Sequence, residues 1–145
     1  MRELEKLYIN LVQVQRALET SVAIAGEKKS KGLAELNVSQ MNDGIGGDGK
    51  SIRPIYTLPY AMGKGFETPN LKVKGTYHKS IDVEAAGKRM LFFSNDSDTD
   101  KVDFLEEHYD NDQYGIAPKN EQKAANIIES DLFKDIEQKL ENGIL

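Results

Sequence analysis

Leu4, Leu7, Leu11, Val14 and Leu18 recur at alternating spacings of three and four, the rhythm of one helix face, and Ile9 and Val12 widen it. The spacing predicts a helix over about residues 2–25. Lys28 to Lys31 is a charged break. Leu33, Leu36, Gln40 and Met41 then restore helical spacing from Gly32 to Asn42, as a second helix or as the continuation of one long interrupted helix. A core-facing amphipathic helix is the plainer expectation for the first piece. A seam this narrow, near the chain end, also suits contact between subunits.

Further along, the period changes. From Lys79 to Ala85 apolar Ile81 and Val83 alternate with Asp82 and Glu84, Ala86-Gly87 turns the chain, and Arg89 to Ser94 returns through Met90, Leu91, Phe92 and Phe93. That is a β-hairpin with one apolar face. Asp98 or Thr99 can cap a short helix reaching about Tyr109 and burying Val102, Phe104 and Leu105. Pro118 opens a last helix with Ala124, Ile127, Ile128, Leu132, Ile136 and Leu140 at helical spacing, closed by Gly143. Between these parts, residues 44–70 are rich in Gly and Pro, with Tyr56, Tyr60 and Phe66 interspersed. They predict a turn, a short extended edge at Ile52–Tyr56 and an exposed loop, the prolines forbidding a long helix. The expected fold is α+β: a long N-terminal helix and a C-terminal helix packed on a small antiparallel sheet built around the hairpin, in one domain spanning 1–145.

Composition narrows the classes. The chain has 145 residues, 39% hydrophobic and 30% charged, enough apolar content for a core. No apolar run is long enough to span a membrane, and the N-terminal stretch lacks the apolar core of a signal peptide. With no cysteine there is no disulfide, thiolate zinc site or cysteine nucleophile. A net charge of −5 argues against nucleic-acid binding by bulk charge.

One motif invites an enzyme. Gly44-Ile45-Gly46-Gly47-Asp48-Gly49-Lys50-Ser51 fits the phosphate-binding loop pattern. That loop needs a buried strand before it and a helix after it, so that backbone amides converge on phosphate. Here the residues before it have helical spacing, and Pro54 follows Ser51 by three. A turn whose glycines supply positive φ fits better. Asp96, Asp98, Asp100 and Glu107 partly mimic a calcium loop, but Lys101 stands where the sharp turn needs Gly. His78 and His108, the only histidines, have no metal-pair spacing and are expected at the surface. No catalytic residue, cofactor or metal ligand is expected.

Charge is segregated instead. Lys64, Lys72, Lys74, Lys79, Lys88 and Arg89 dominate the stretch from 64 to 89. Asp96, Asp98, Asp100, Asp103, Glu106, Glu107, Asp110 and Asp112 dominate 96–112. Basic on acidic would join identical subunits head to tail, a contact that closes into rings.

The order of motifs carries a family resemblance. A helix leads into L-N-x-x-Q-[LM] (Leu36, Asn37, Gln40, Met41), then a Gly-rich turn (Gly44, Asp48, Gly49) and an edge (Ile52, Tyr56). A loop follows, then L-K-x-[TK]-G-x-[FY]-x-x-S-[IF] (Leu71, Gly75, Tyr77, Ser80, Ile81) and the hairpin. Over about residues 33–140 this resembles small bacteriophage tail-completion or head–tail-connector proteins, particularly from phages of Bacteroides-like hosts. Phe93-Ser94-Asn95-Asp96, Gly115-Ile116 and the last helix are similar too. The resemblance implies a long helix on a small sheet, ring assembly in the neck or tail, and no catalysis or cofactor. It implies location in the virion, and in the host cytoplasm during assembly. Partners would be further copies of the chain and portal, connector or tail proteins, and a ring lumen would bring the basic stretch past DNA. The expected contact residues are Leu4, Leu7, Leu11, Tyr56, Tyr60, Lys64, Phe66, Lys72, Lys74, Lys79, Asp98, Asp100, Asp103 and Glu106. The competing functions are a nucleotide-binding protein using Gly44–Ser51 and a protein-binding module that acts as a monomer.

Overall fold

The computed structural model of the chain describes residues 2–55, 57–65, 69–72 and 75–143, with every side chain in these ranges except those of 6–10 and 58–60. The fold is α+β. In order come α1 (Arg2–Lys28), α2 (Ser30–Asn42), α3 (Leu58–Lys64), α4 (Thr76–Lys79), β1 (Ile81–Ala86), β2 (Arg89–Ser94), α5 (Thr99–His108), a 3-10 turn (Pro118–Asn120) and α6 (Glu121–Glu141).

The charged break between α1 and α2 is a single residue. Lys29 leaves the helical region at φ −106, ψ 26, yet Lys29 N donates to Ala25 O and Leu33 N donates to Lys29 O, both at 3.1 Å. The i→i−4 ladder therefore bridges the break, as the interrupted-helix alternative expects. α6 runs antiparallel alongside. Lys139 Nζ reaches Ala17 O and Ser21 Oγ, Lys29 lies 3.5 Å from Asp131, and a Cβ on Gly32 would meet Ile127 Cγ2 at 3.1 Å.

The hairpin covers the other side of the helices. β1 and β2 pair antiparallel, Val83 opposite Phe92 and Ala85 opposite Met90, with Gly87 turning at φ +64. Ile81 and Val83 face the core with Ala25, Leu33, Met41, Ile52, Val102 and Ile128. The strand starts two residues later than its alternation suggests, because Thr76–Lys79 form one helical turn after Gly75, whose φ of +83 only glycine adopts readily. Ser80 then ties the base of the hairpin. Its Oγ donates to Tyr77 O and pairs with Ser94 Oγ, both at 2.6 Å.

Other expectations need correction. The 44–70 segment is not all loop: α3 lies inside it, with Pro59 in the first turn, where a missing N–H costs nothing. Ile52 is buried, and the bridge Ile45–Ser51 precedes it. Phe104 is 61% exposed, since α5 turns Val102 inward and Phe104 lies on its far side. Leu140 is exposed as well.

His78 is buried rather than on the surface, with Nε2 2.6 Å from Asn70 O. Burial pushes its pKa below the ordinary 6.5, the Asn70 carbonyl opposes this, and Lys72 and Lys64 add to it. The folded state thus favours the neutral ring, and the unfolded chain binds more protons just below 6.5. This contribution is complete above 6.5 and is lost as pH falls from 6.5 toward the folded value. We expect the urea midpoint to drop between about pH 7.5 and about pH 5.5, with a shallower drop in His78→Gln. Equal slopes in the two proteins would refute the assignment.

Candidate interaction surfaces

A buried amide clamp sets the surface geometry. Asn37 and Gln40 lie on the inner face of α2, fully or almost fully buried, and both reach the extended crossing that follows α5. Asn37 Nδ2 donates to Gln113 O at 2.9 Å, and Gly115 N donates to Asn37 Oδ1 at 3.3 Å. Gln40 Nε2 donates to Gly115 O at 2.9 Å, and its Oε1 accepts from Ala117 N at 2.8 Å and Asn120 Nδ2 at 2.9 Å. Two side-chain amides thus complete the backbone of residues 113–117 as a neighbouring strand would.

The glycine turn packs on the same crossing. Only Gly44 (φ +70) and Gly49 (φ +83) supply positive φ. Gly46 and Gly47 are needed for close approach, because a Cβ on either would strike the backbone at Asp112 or Tyr114. Six of the turn's amides have partners within the chain. Gly44 N donates to Met41 O, Ile45 N to Gln40 O, Gly46 N to Lys50 O, Gly47 N to Asp112 O, Gly49 N to Gly46 O and Lys50 N to Asp48 Oδ1. A helix precedes the turn and none opens at Ser51. A phosphate cradle uses converging amides that are unbonded, whereas these six are bonded within the chain.

From the clamp a chain of hydroxyls runs toward the surface. Gln113 Nε2 donates to Tyr77 OH at 3.3 Å, Tyr77 OH to Tyr114 OH at 2.7 Å, and Tyr114 OH to Glu106 Oε1 at 2.8 Å. Burial raises both tyrosine pKa values above the ordinary 10. Tyr77 also forms part of the floor of an apolar groove of about 610 Å³ between α5 and the segment around Leu71. Ile55, Leu71, Phe104, Leu105 and Tyr109 supply the walls, and His108 stacks on Phe104 with ring centroids 5.3 Å apart. Lys64, Lys72 and Lys101 add cationic ends. Lys101 bonds Asp96 at 2.6 Å, and this bond holds the Asp96 carboxyl below the usual carboxylate range. The groove has apolar walls edged by three lysines, of which Lys101 is bonded to Asp96 and Lys64 to Asn70 Oδ1 and Lys72 O, and no carboxylate is among its described lining residues.

A second surface is the free half of α1. The positions Leu4, Leu11, Leu18 and Ala25 form one row of the helix, and their exposure runs 67%, 59%, 37% and 0%. One face is therefore core at its C-terminal end and solvent-facing at the other. The core-facing expectation fails for the N-terminal half because α6 ends opposite Ala17. Among the described side chains, residues 2–11 make no hydrogen bond or ion pair to another element.

The expected contact residues do not form one patch. Leu4 and Leu11 are exposed on α1, while Lys64 and Lys72 lie together in the groove, Lys64 Nζ donating to Asn70 Oδ1 at 3.1 Å and Lys72 O at 2.8 Å. Lys79 belongs to a different concavity, beside His78 and Asp82. Of the acids, Asp100 and Asp103 are exposed on α5. Asp98 is instead the N-cap of α5, accepting from Lys101 N at 3.1 Å, and Glu106 is bound to Tyr114. These two already have partners within the chain. Tyr56, Phe66 and Lys74 lie outside the described residues, as do the side chains of Leu7 and Tyr60. Phe104, Leu71 and Lys101 line the groove and Leu18 continues the α1 row, though none is among the expected contact residues. Projecting α5 at 100° per residue places Phe104 and His108 together, away from Val102, so the groove's outer wall was there to be found.

Among the described residues no three His, Asp or Glu side chains converge into a metal site, and no helix is long and apolar enough to cross a membrane. Fold and surfaces together define an α+β protein with two unlike exposed features, an apolar helix face and a lysine-edged groove. No protein-family model, curated protein or solved structure matches the chain.

Proposed function

We propose that the chain is a non-enzymatic bacteriophage virion protein of the neck or tail, a head–tail connector or tail-completion subunit. It acts through ring-type contacts with its own copies and with portal, connector or tail components. The observation that carries this reading is the apolar row of α1, which leaves the core and continues into solvent through Leu18, Leu11 and Leu4. Fully burying a leucine is worth about 1.5–3 kcal/mol, so an uncovered row forgoes several kcal/mol that a neighbouring subunit recovers. The motif order from Leu36 to Ile81 supports the virion assignment.

The test is assembly of the purified chain. Light scattering at low and high salt is expected to give a discrete oligomer, visible as rings by negative-stain microscopy. A monomer at every concentration and both salts would overturn the reading. So would roughly micromolar ATP–Mg²⁺ binding by calorimetry that disappears in Lys50→Ala.

A further inference from the structure

The exposed face of α1 and the α5 groove are different surfaces, and each has what the other lacks. Leu4, Leu7 and Leu11 sit at i, i+3 and i+7, the anchor spacing of a helix lying in an apolar groove. The groove's volume of about 610 Å³ falls in the range of formed recognition clefts, roughly 300–1,000 Å³. Phe104, 61% exposed at its edge, is a large aromatic side chain that the fold does not bury.

Charge favours the same pairing. At 100° per residue Glu3 lies roughly 70° from the leucine row, while the positions of Arg2, Lys6 and Arg16 fall on the far side of the helix. The row therefore approaches a partner with an acidic residue on its flank and the positions of the basic residues Arg2, Lys6 and Arg16 turned away. The groove presents Lys64, Lys72 and Lys101; Lys101 faces Asp96, and Lys64 donates to Asn70 Oδ1 and Lys72 O.

We propose that the first turns of α1 from one copy of this chain seat in the α5 groove of the next copy. Leu4 and Leu11 pack against Phe104 and Leu71, and Glu3 comes to the lysine-edged side. The inference rests on the self-assembly reading and deepens it by naming which surface receives which. Because helix and groove are unlike, the contact is heterologous: every copy donates one helix and accepts one, and the series closes into a ring when the rotation permits.

The test uses two full-length variants whose altered side chains are already exposed, so folding is expected to survive and is checked by circular dichroism. Leu4→Glu/Leu11→Glu disables the helix, and Phe104→Glu disables the groove. In sedimentation velocity each variant alone is expected to run as a monomer. An equimolar mixture is expected to give dimers and nothing larger, since one helix and one groove remain intact between the two copies. If Phe104→Glu assembles like the parent chain while the leucine variant does not, α1 meets something other than the groove. This proposal then fails and the self-assembly reading stands. If the parent chain is monomeric throughout, or both variants assemble as it does, the reading of α1 as the assembly element fails along with the proposal.

Discussion

Gln40→Leu is expected to lower the free energy of unfolding by about 3–5 kcal/mol, a large share of the stability of a domain this size. Leucine fills similar space, so the loss is not one of volume. It comes from three groups left behind, the Gly115 carbonyl, the Ala117 amide and the Asn120 side-chain amide, all of which Gln40 satisfies. Gln40 is 2% exposed, so water reaches its partners poorly. An interior polar group without a partner costs about 1–3 kcal/mol. Urea unfolding followed by circular dichroism measures the change, read at an unchanged m-value. Gln122→Ala is the control, because Gln122 is exposed and bonds only Asn126 one turn along α6. Its effect should stay within about 0.5 kcal/mol. If Gln40→Leu behaved like this control, the clamp would not be holding the crossing.

The second large effect is Gly47→Ala, expected to cost about 2–3 kcal/mol. An added Cβ would collide with the Tyr114 carbonyl oxygen, stand 2.9 Å from its carbonyl carbon and lie 3.1 Å from Gly115 Cα. All three obstacles are backbone, held in turn by Asn37 and Gln40, so none can swing aside. The same substitution at Gly63 meets nothing within 4 Å and lies in α3. There it should stabilise, by about 0.5–1 kcal/mol, because alanine loses less backbone entropy in a helix. Opposite signs for the two variants in parallel urea titrations are the expected result. Two small effects of the same sign would mean that the turn and the crossing are not in contact.

Much of the fold was legible because it follows a periodic signal. The rhythm of Leu4 to Leu18 gave α1, the alternation at Ile81–Glu84 gave the hairpin, and Pro118 with the spacing after Ala124 gave α6. Asp98, one of the two caps the sequence offers with Thr99, is the one used, and it could be read because its bond to the Lys101 amide reaches only three residues. What escaped depends on distant partners. The sequence contains Leu11 and Leu18 and marks the end of α6 at Gly143, but not where along α1 that end falls, and that point decides whether those leucines are covered. Asn37 and Gln40 could be seen as part of a motif, but their purpose lies more than seventy residues downstream. His78 looked like a surface residue because nothing nearby in sequence announces that the Asn70 carbonyl folds back onto it. The groove was half visible, through Lys64 and Lys72, while its far wall sits on a helix whose aromatic residue was expected inside.

The reach of the amide clamp also bears on the order of events during synthesis. The bonds from Asn37 and Gln40 span 75 to 80 positions. When α2 leaves the ribosome, the groups that will saturate its amides do not yet exist. Those side chains must stay hydrated until the stretch beyond Asn120 has been translated, so tertiary closure is a late, non-local step even though most of the chain is helical. Until then the nascent chain carries the exposed leucines of its first helix on a fold that is not yet closed.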